Sequence, residues 1–194
     1  MLKQVFLGVS AMKITTTPLD GLVVVETTPF VDQRGQFSRL FCADELGSVL
    51  ESRTIKQINH SITLQVGTVR GMHMQLPPHA ELKIIKCMQG AVLDVAVDCR
   101  RSSSTFLQWH AVELTSANNQ MMVIPEGFAH GFQVLSPKSE LLYLHTEFYT
   151  PSAEFGLHPS DPTIGVRWPL PISTISNRDA YLPNVDDKLI GCCP

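Results

Sequence analysis

Apolar positions in this chain come in short runs of about four to eight residues, with β-branched side chains prominent and no sustained helical spacing. Such runs occur at residues 21–27, 67–70, 82–88, 91–98, 107–114, 120–124 and 141–148. Turn-forming residues separate them: Gln89-Gly90, Ser102-Ser103-Ser104, Asn118-Asn119, Pro125-Glu126-Gly127 and Ser136-Pro137-Lys138. Short strands at close spacing, punctuated by turns, predict an all-β sandwich or small barrel. One short helix is expected over about residues 43–51, weakened by Gly47. The last third is rich in Pro, Ser and Asp and is expected to wrap the strands as irregular chain.

Side chains two apart on a strand share a face. On the run through Tyr143, one face carries Leu141, Tyr143, His145 and Glu147; the other carries Leu142, Leu144, Thr146 and Phe148. Residues Leu93, Val95, Val97 and Cys99 form an apolar face opposite Asp94 and Asp98. The pattern fits a sheet packed on one side, with a polar cavity on the other.

The chain has 194 residues, 44% of them apolar and 17% charged, which fits one compact domain. Net charge is −3 without blocks of like charge, so no basic footprint for nucleic acid is present. The longest apolar stretches fall short of a membrane span. Five cysteines, an odd number without Cys-x-x-Cys spacing, indicate free thiols in a reducing, cytoplasmic setting. Adjacent Cys192 and Cys193 are poor partners for each other. Residues 1–11 faintly mimic a signal peptide but are short for one; Met12 is a candidate start, and 1–11 are read as an N-terminal extension. The expected division is a single domain over 12–187 and a tail over 188–194.

The richest segment is Arg70-Gly71-Met72-His73-Met74-Gln75, with Lys83 ten residues beyond the histidine. A histidine and a lysine on neighbouring strands suit acid–base work at a carbonyl compound. One takes a proton from carbon and the other stabilises the charge that appears on oxygen. Strict alternation sets Arg70 and His73 on opposite faces, so shared use of both requires a bulge or bend at Gly71. Lys83 and Lys86, three apart, face opposite ways, so only one enters a cavity.

Several segments together resemble the nucleotide-sugar epimerases of the dTDP-4-dehydrorhamnose 3,5-epimerase type. They are Asp32-Gln33-Arg34-Gly35-Gln36-Phe37, Gln57-Ile58-Asn59-His60-Ser61, the Arg70–Gln75 segment, Asp94-Val95-Ala96-Val97-Asp98-Cys99-Arg100, residues 124–132 (Ile-Pro-Glu-Gly-Phe-Ala-His-Gly-Phe), Tyr149-Thr150-Pro151, Asp161-Pro162, Trp168-Pro169 and Ser176-Asn177-Arg178-Asp179. The resemblance runs from about residue 15 to 185. It implies a cupin-type double-stranded β-helix, or jelly roll, with short peripheral helices and an irregular C-terminal segment. It also implies a homodimer that needs no metal or redox cofactor. The implied activity is inversion of C3, C5 or both in a nucleotide-diphosphate-linked 4-keto-6-deoxyhexose, in deoxysugar biosynthesis. By position, His73 matches the family's base, Tyr143 its acid, Lys83 the lysine near the enolate and Asp179 the carboxylate that orients the histidine. Substrate-binding positions fall on Arg34, Gln57, Asn59, Arg70, His130, Tyr149, Glu154 and Arg178.

Some positions depart from the family pattern. Arg39 stands where a glutamate is common, which leaves the nucleotide base open. Met74, Ser104 and Leu107 replace an aromatic, a proline and a glycine, and read as structural changes. Two other readings stay open. Pro125-x-Gly127-x-x-His130 resembles the second motif of metal-binding cupins, but Gln75 occupies the second position of their His-x-His pair and His79 lies in a Pro-Pro loop, so no metal is expected. A non-catalytic sugar-nucleotide-binding cupin would carry the same pocket without turnover.

Overall fold

The computed structural model describes residues 12–186. The proposed extension at 1–11, the tail at 188–194 and the Cys192–Cys193 pair lie outside the described residues. The regular structure of the described chain is almost wholly antiparallel strands: β1 (Lys13–Thr16), β2 (Val23–Glu26), β3 (Phe30–Asp32), β4 (Gly35–Phe37), β5 (Gln57–Thr63), β6 (Val69–Gln75), β7 (Lys83–Gln89), β8 (Ala91–Asp98), β9 (Trp109–Thr115), β10 (Gln120–Ile124), β11 (Phe128–Val134), β12 (Ser139–His145) and β13 (Glu154–Gly156). They form a six-stranded sheet in the order β1-β2-β10-β7-β12-β5, a five-stranded sheet in the order β13-β6-β11-β8-β9, and the separate hairpin β3-β4. From β5 to β13 consecutive strands alternate between the two large sheets, apart from the paired neighbours β8 and β9, which is the jelly-roll arrangement. Among the described residues no helix is long and apolar enough to cross a membrane.

The core has three layers. Between the sheets pack Ile85, Cys87, Val92, Ala96, Leu114, Met122, Ile124, Phe128, Phe132 and Leu141. Outside the six-stranded sheet, Val25, Ile84, Met121, Val123 and Leu144 meet Leu46 and Leu50. Those two leucines belong to the turn and single helical turn α1 (Gly47–Leu50), shorter than the 43–51 expected. An isolated turn of helix is unstable. Burial of each leucine, about 1.5–3 kcal/mol, holds this one down. Outside the five-stranded sheet, Val95, Val97 and Cys99 are covered by Leu157, Ile164 and Trp168 from the C-terminal chain. The apolar face read on β8 is therefore an outer face roofed by the irregular segment. The inner face mixes Val92 and Ala96 with Asp94 and Asp98.

Buried Asp98 ties down the loop after β8. Its carboxylate accepts from Arg100 Nε at 2.9 Å, Ser103 Oγ at 2.6 Å and Thr105 Oγ1 at 2.7 Å. Within that loop Leu107 has φ of +61°, the left-handed conformation that favours the glycine it replaces in the family pattern. Glu147, expected on the face of Tyr143, lies beyond the end of β12 and pairs with Lys56 at 2.6 Å outside the sheet.

The β6–β11 pairing carries a bulge. His130 pairs with His73 and Phe132 with Arg70, so two residues of β11 span three of β6. The extra residue returns Arg70 and His73 to the same inner face, resolving the alternation conflict. Gly71 (φ +126°) faces Gly131 here, and a Cβ on Gly71 would sit 2.5 Å from the Gly131 Cα. Only a glycine pair permits that approach.

Candidate active site

At one end of the sandwich the apolar filling gives way to polar side chains around an open cavity of about 630 Å3. The five-stranded sheet contributes Arg70 and His73 from β6 and His130 from β11. The six-stranded sheet contributes Asn59 and Ser61 from β5, Lys83 from β7, and Tyr143 and His145 from β12. The C-terminal chain closes one side with Arg178 and Asp179.

His73 Nε2 lies 2.8 Å from Asp179 Oδ1, and Asp179 Oδ2 accepts the Gly71 N–H at 3.1 Å. A carboxylate can only accept, so Nε2 carries the hydrogen and Nδ1 holds the lone pair. Burial pushes the Asp179 carboxyl up, but the hydrogen bonds from His73 and Gly71 outweigh it and hold it below its ordinary value. Asp179 sits in the helical turn α2 (Asn177–Ala180), whose N-cap Ser176 accepts its N–H at 3.0 Å. The Ser-x-x-Asp spacing of this cap is a sequence signal for a helix start that the strand reading passed over.

Lys83 is buried. Its Nζ donates to the His73 carbonyl at 3.1 Å and meets Glu81 Oε1 at 3.1 Å. Lys86 points the other way, to the Gln120 carbonyl, as strand alternation requires. Tyr143 stands on the sheet opposite His73, with its hydroxyl 3.0 Å from Ser61 Oγ. Burial pushes its phenol well above the ordinary value, so it stays protonated. A second histidine–carboxylate couple joins His130 Nε2 to Asp94 Oδ1 at 2.7 Å, with the His130 ring edge-on to Tyr143. Burial raises the Asp94 carboxyl despite His130, and its Oδ2 is buried without a hydrogen-bond partner among the described residues.

The remaining candidates divide. Asn59, Arg70, Tyr149, Glu154 and Arg178 line the cavity, with Arg178 paired to Glu154 and the Tyr149 hydroxyl donating to Glu154 at 3.1 Å. Gln57 stands one step behind Asn59, donating to its Oδ1 at 3.2 Å. Arg34 is not brought into this cavity. It lies on the exposed β3–β4 hairpin, paired with Asp32. The reason is that β3 and β4 pair only with each other and join neither large sheet. Arg39 also stays outside the cavity, paired with Glu45. Glu81 and Asp94 were not singled out as site residues. Glu81 sits in the loop before β7, where strand periodicity says nothing about direction.

The groups at the metal-cupin positions are otherwise engaged. Gln75 donates to the carbonyls of His79 and Phe148 and accepts the Thr150 N–H at 2.6 Å. His130 Nε2 is taken up by Asp94.

Fold and site together define a cupin-type jelly roll whose pocket sets a carboxylate-oriented histidine across from a tyrosine, with a lysine alongside. The family model described as dTDP-4-dehydrorhamnose 3,5-epimerase matches residues 16–187. A dTDP-4-dehydrorhamnose 3,5-epimerase of Shigella flexneri is 38% identical over 172 residues, covering 87% of this chain and 93% of the relative. An epimerase structure from Mycobacterium tuberculosis superposes with a TM-score of 0.89 at 34% identity, covering 94% of each chain. A dTDP-6-deoxy-D-glucose-3,5-epimerase from Legionella pneumophila, in complex with dTDP-4-keto-L-rhamnose, gives 0.85 at 36% identity, covering 92% of this chain and 96% of the other. The chain belongs to the dTDP-4-dehydrorhamnose 3,5-epimerase family, and with it to the isomerases.

Proposed function

We propose that this chain inverts C3 and C5 of dTDP-4-dehydro-6-deoxyglucose through enolate intermediates, supplying a rhamnose-type deoxysugar pathway. The observation that carries the reading is the opposition of His73 and Tyr143 on facing sheets, because inversion needs proton removal on one face of a carbon and delivery on the other. The C4 ketone acidifies the hydrogens on its neighbouring carbons. His73 Nδ1 takes one of them, and the C–H electron pair moves through the carbonyl to leave an enolate oxygen. Asp179 holds the imidazole in the tautomer that can act as base and stabilises the imidazolium formed. Lys83 supplies positive charge for the oxygen. The Tyr143 O–H then protonates the carbon from the opposite face. Proton exchange with solvent returns His73 to the neutral form and Tyr143 to the phenol before the next inversion. Repetition at the other carbon gives the double epimer.

Arg70, Arg178, Asn59 and Tyr149 at the pocket mouth suit the diphosphate and nucleotide, with arginine forked for phosphate oxygens. His130 and Glu154 suit sugar hydroxyls. Arg34 reaches substrate in this reading from a second copy of the chain. The exposed Phe30, Val31 and Phe37 of its hairpin are the apolar side chains a homodimer would cover. The free thiols Cys42 and Cys87 support a reducing, cytoplasmic setting.

The test is incubation with dTDP-4-dehydro-6-deoxyglucose in deuterated water. Deuterium at C3 and C5 with formation of the epimerised sugar is expected. Absence of label at both carbons would overturn the substrate assignment. Sedimentation analysis checks the dimer: a monomer at micromolar concentration would remove the proposed route for Arg34.

A further inference from the structure

Along one wall of the cavity runs a chain of hydrogen bonds with a fixed direction. The Tyr149 backbone N–H donates to Gln57 Oε1 at 3.1 Å, and Gln57 Nε2 donates to Asn59 Oδ1 at 3.2 Å. Asn59 Nδ2 lies 3.3 Å from His145 Nε2, and His145 Nδ1 lies 2.8 Å from Glu81 Oε2. Glu81 Oε1 takes Lys83 Nζ at 3.1 Å. Both ends set the polarity. A backbone amide only donates and a carboxylate only accepts. Every intermediate group must therefore pass a donor toward Glu81, and His145 must be neutral, with its hydrogen on Nδ1 and its lone pair on Nε2.

Cross-strand register builds this wall. His145 pairs with Gln57 on one side and Lys83 on the other, and Tyr143 pairs with Asn59 one row along. The groups facing His145 are Gln57 and Asn59 from β5, Lys83 from β7, Glu81 from the preceding loop, and the Tyr143 ring stacked at 6.2 Å on its own strand. Glu81 is held below its ordinary value: burial raises it, but the His145 hydrogen bond and the Lys83 charge outweigh that. The anchor thus stays an acceptor near neutral pH.

We propose that His145 is a positioning residue that orients Asn59 and Gln57 for the nucleotide sugar, and that protonating it breaks the chain and weakens substrate capture. The first half rests on the function proposed above, which assigns Asn59 to the substrate; Gln57 holds Asn59 from behind. On protonation, Nε2 becomes a donor aimed at the Asn59 NH2 group. Turning the Asn59 carboxamide relieves that contact but opposes its NH2 to that of Gln57. Turning Gln57 as well opposes its NH2 to the Tyr149 N–H, which cannot turn. One donor–donor contact survives in every arrangement, so one carboxamide must leave its place. This is separate from loss of the base: His73 acts on turnover, whereas His145 acts on binding.

Two measurements test it. In the ligand-free protein, side-chain amide NMR signals of Asn59 and Gln57 should shift as the solution is taken from mildly alkaline to mildly acid pH. They should stop doing so in His145→Gln, which retains one acceptor and one donor and cannot titrate there. In steady state, KM of the wild type should rise about tenfold on acidification, the worth of one lost hydrogen bond. KM of His145→Gln should stay flat, while kcat keeps its own acid limb in both. His145→Leu should show the high KM at every pH. Titration of the amides unchanged by His145→Gln, or an acid rise in KM that survives it, would overturn the proposal. Lack of turnover at any pH would instead count against the substrate assignment, and the NMR titration would still decide whether the chain exists.

Discussion

His73 and Asp179 are joined at 2.8 Å across 106 residues of sequence. The bond depends on the C-terminal chain wrapping the five-stranded sheet and ending in one capped turn that aims a carboxylate back at β6. Converting Asp179 to asparagine keeps the shape but offers an N–H to Nε2. His73 would then carry its hydrogen on Nδ1 and lose its basic nitrogen. We expect kcat of Asp179→Asn to fall on the order of 10²- to 10⁴-fold with KM little changed, and His73→Ala to abolish deuterium exchange at both carbons. Steady-state rates and deuterium wash-in check both.

In the proposed mechanism Tyr143 differs in kind, because there it acts after the proton has gone. Tyr143→Phe should slow net inversion more than it slows loss of the substrate hydrogen. Comparing deuterium wash-in with product formation reads the difference, and equal loss of both would count against a dedicated acid. Since burial raises the phenol above its ordinary value of 10.0, Tyr143 remains an O–H donor through the neutral and mildly alkaline range. The wild type should show no alkaline fall in kcat from this group below about pH 10.

Acid should destabilise the fold through Asp98 and Asp179. Burial raises each carboxyl, and hydrogen bonds outweigh it: from Arg100, Ser103 and Thr105 for Asp98, and from His73 and Gly71 for Asp179. Both therefore end below the ordinary value of 3.8. Such groups add stability that is fully present above the unfolded value and is lost as pH falls through the folded one. Urea unfolding should thus show stability held above about pH 4 and declining below it. Asp98→Asn should cost on the order of 3 kcal/mol at pH 7 and flatten the acid slope, because it leaves Arg100 and two hydroxyls short of an acceptor.

The bulge in β6 can be probed without touching a charged group. A Cβ on Gly131 would lie 2.5 Å from Met72 Sδ and 2.7 Å from the Arg70 carbonyl. Gly131→Ala should destabilise by about 1–3 kcal/mol and lower kcat as well, since any shift of β6 moves Arg70 and His73 together. Thermal unfolding and kinetics on the same preparation check the coupling. Lost stability with unchanged kinetics would mean that the strain is absorbed elsewhere.

Much of this protein was legible in its residues. Short β-branched runs set off by turn residues foretold an all-β sandwich or small barrel, and alternation along 91–98 and 141–148 foretold which side chains share a face. The same rule separated Lys83 from Lys86 and set Leu141, Tyr143 and His145 on one face. The conflict between Arg70 and His73 was visible too, with Gly71 as the place for its resolution. Period alone could not say that β11 opposes two residues to three of β6, since register belongs to the pair of strands. Nor could it bring Asp179 to His73, because a Pro- and Ser-rich wrap has no period to follow. It could not aim Glu81 between Lys83 and His145, leave Arg34 on a hairpin outside the cavity, or roof the outer face of β8 with Leu157 and Trp168. The sequence by itself determined strand faces and the chemical types available. Only the tertiary structure decided which of those groups meet, because contacts such as His73–Asp179, His145–Glu81 and His130–Asp94 join segments whose separation along the chain carries no local signal.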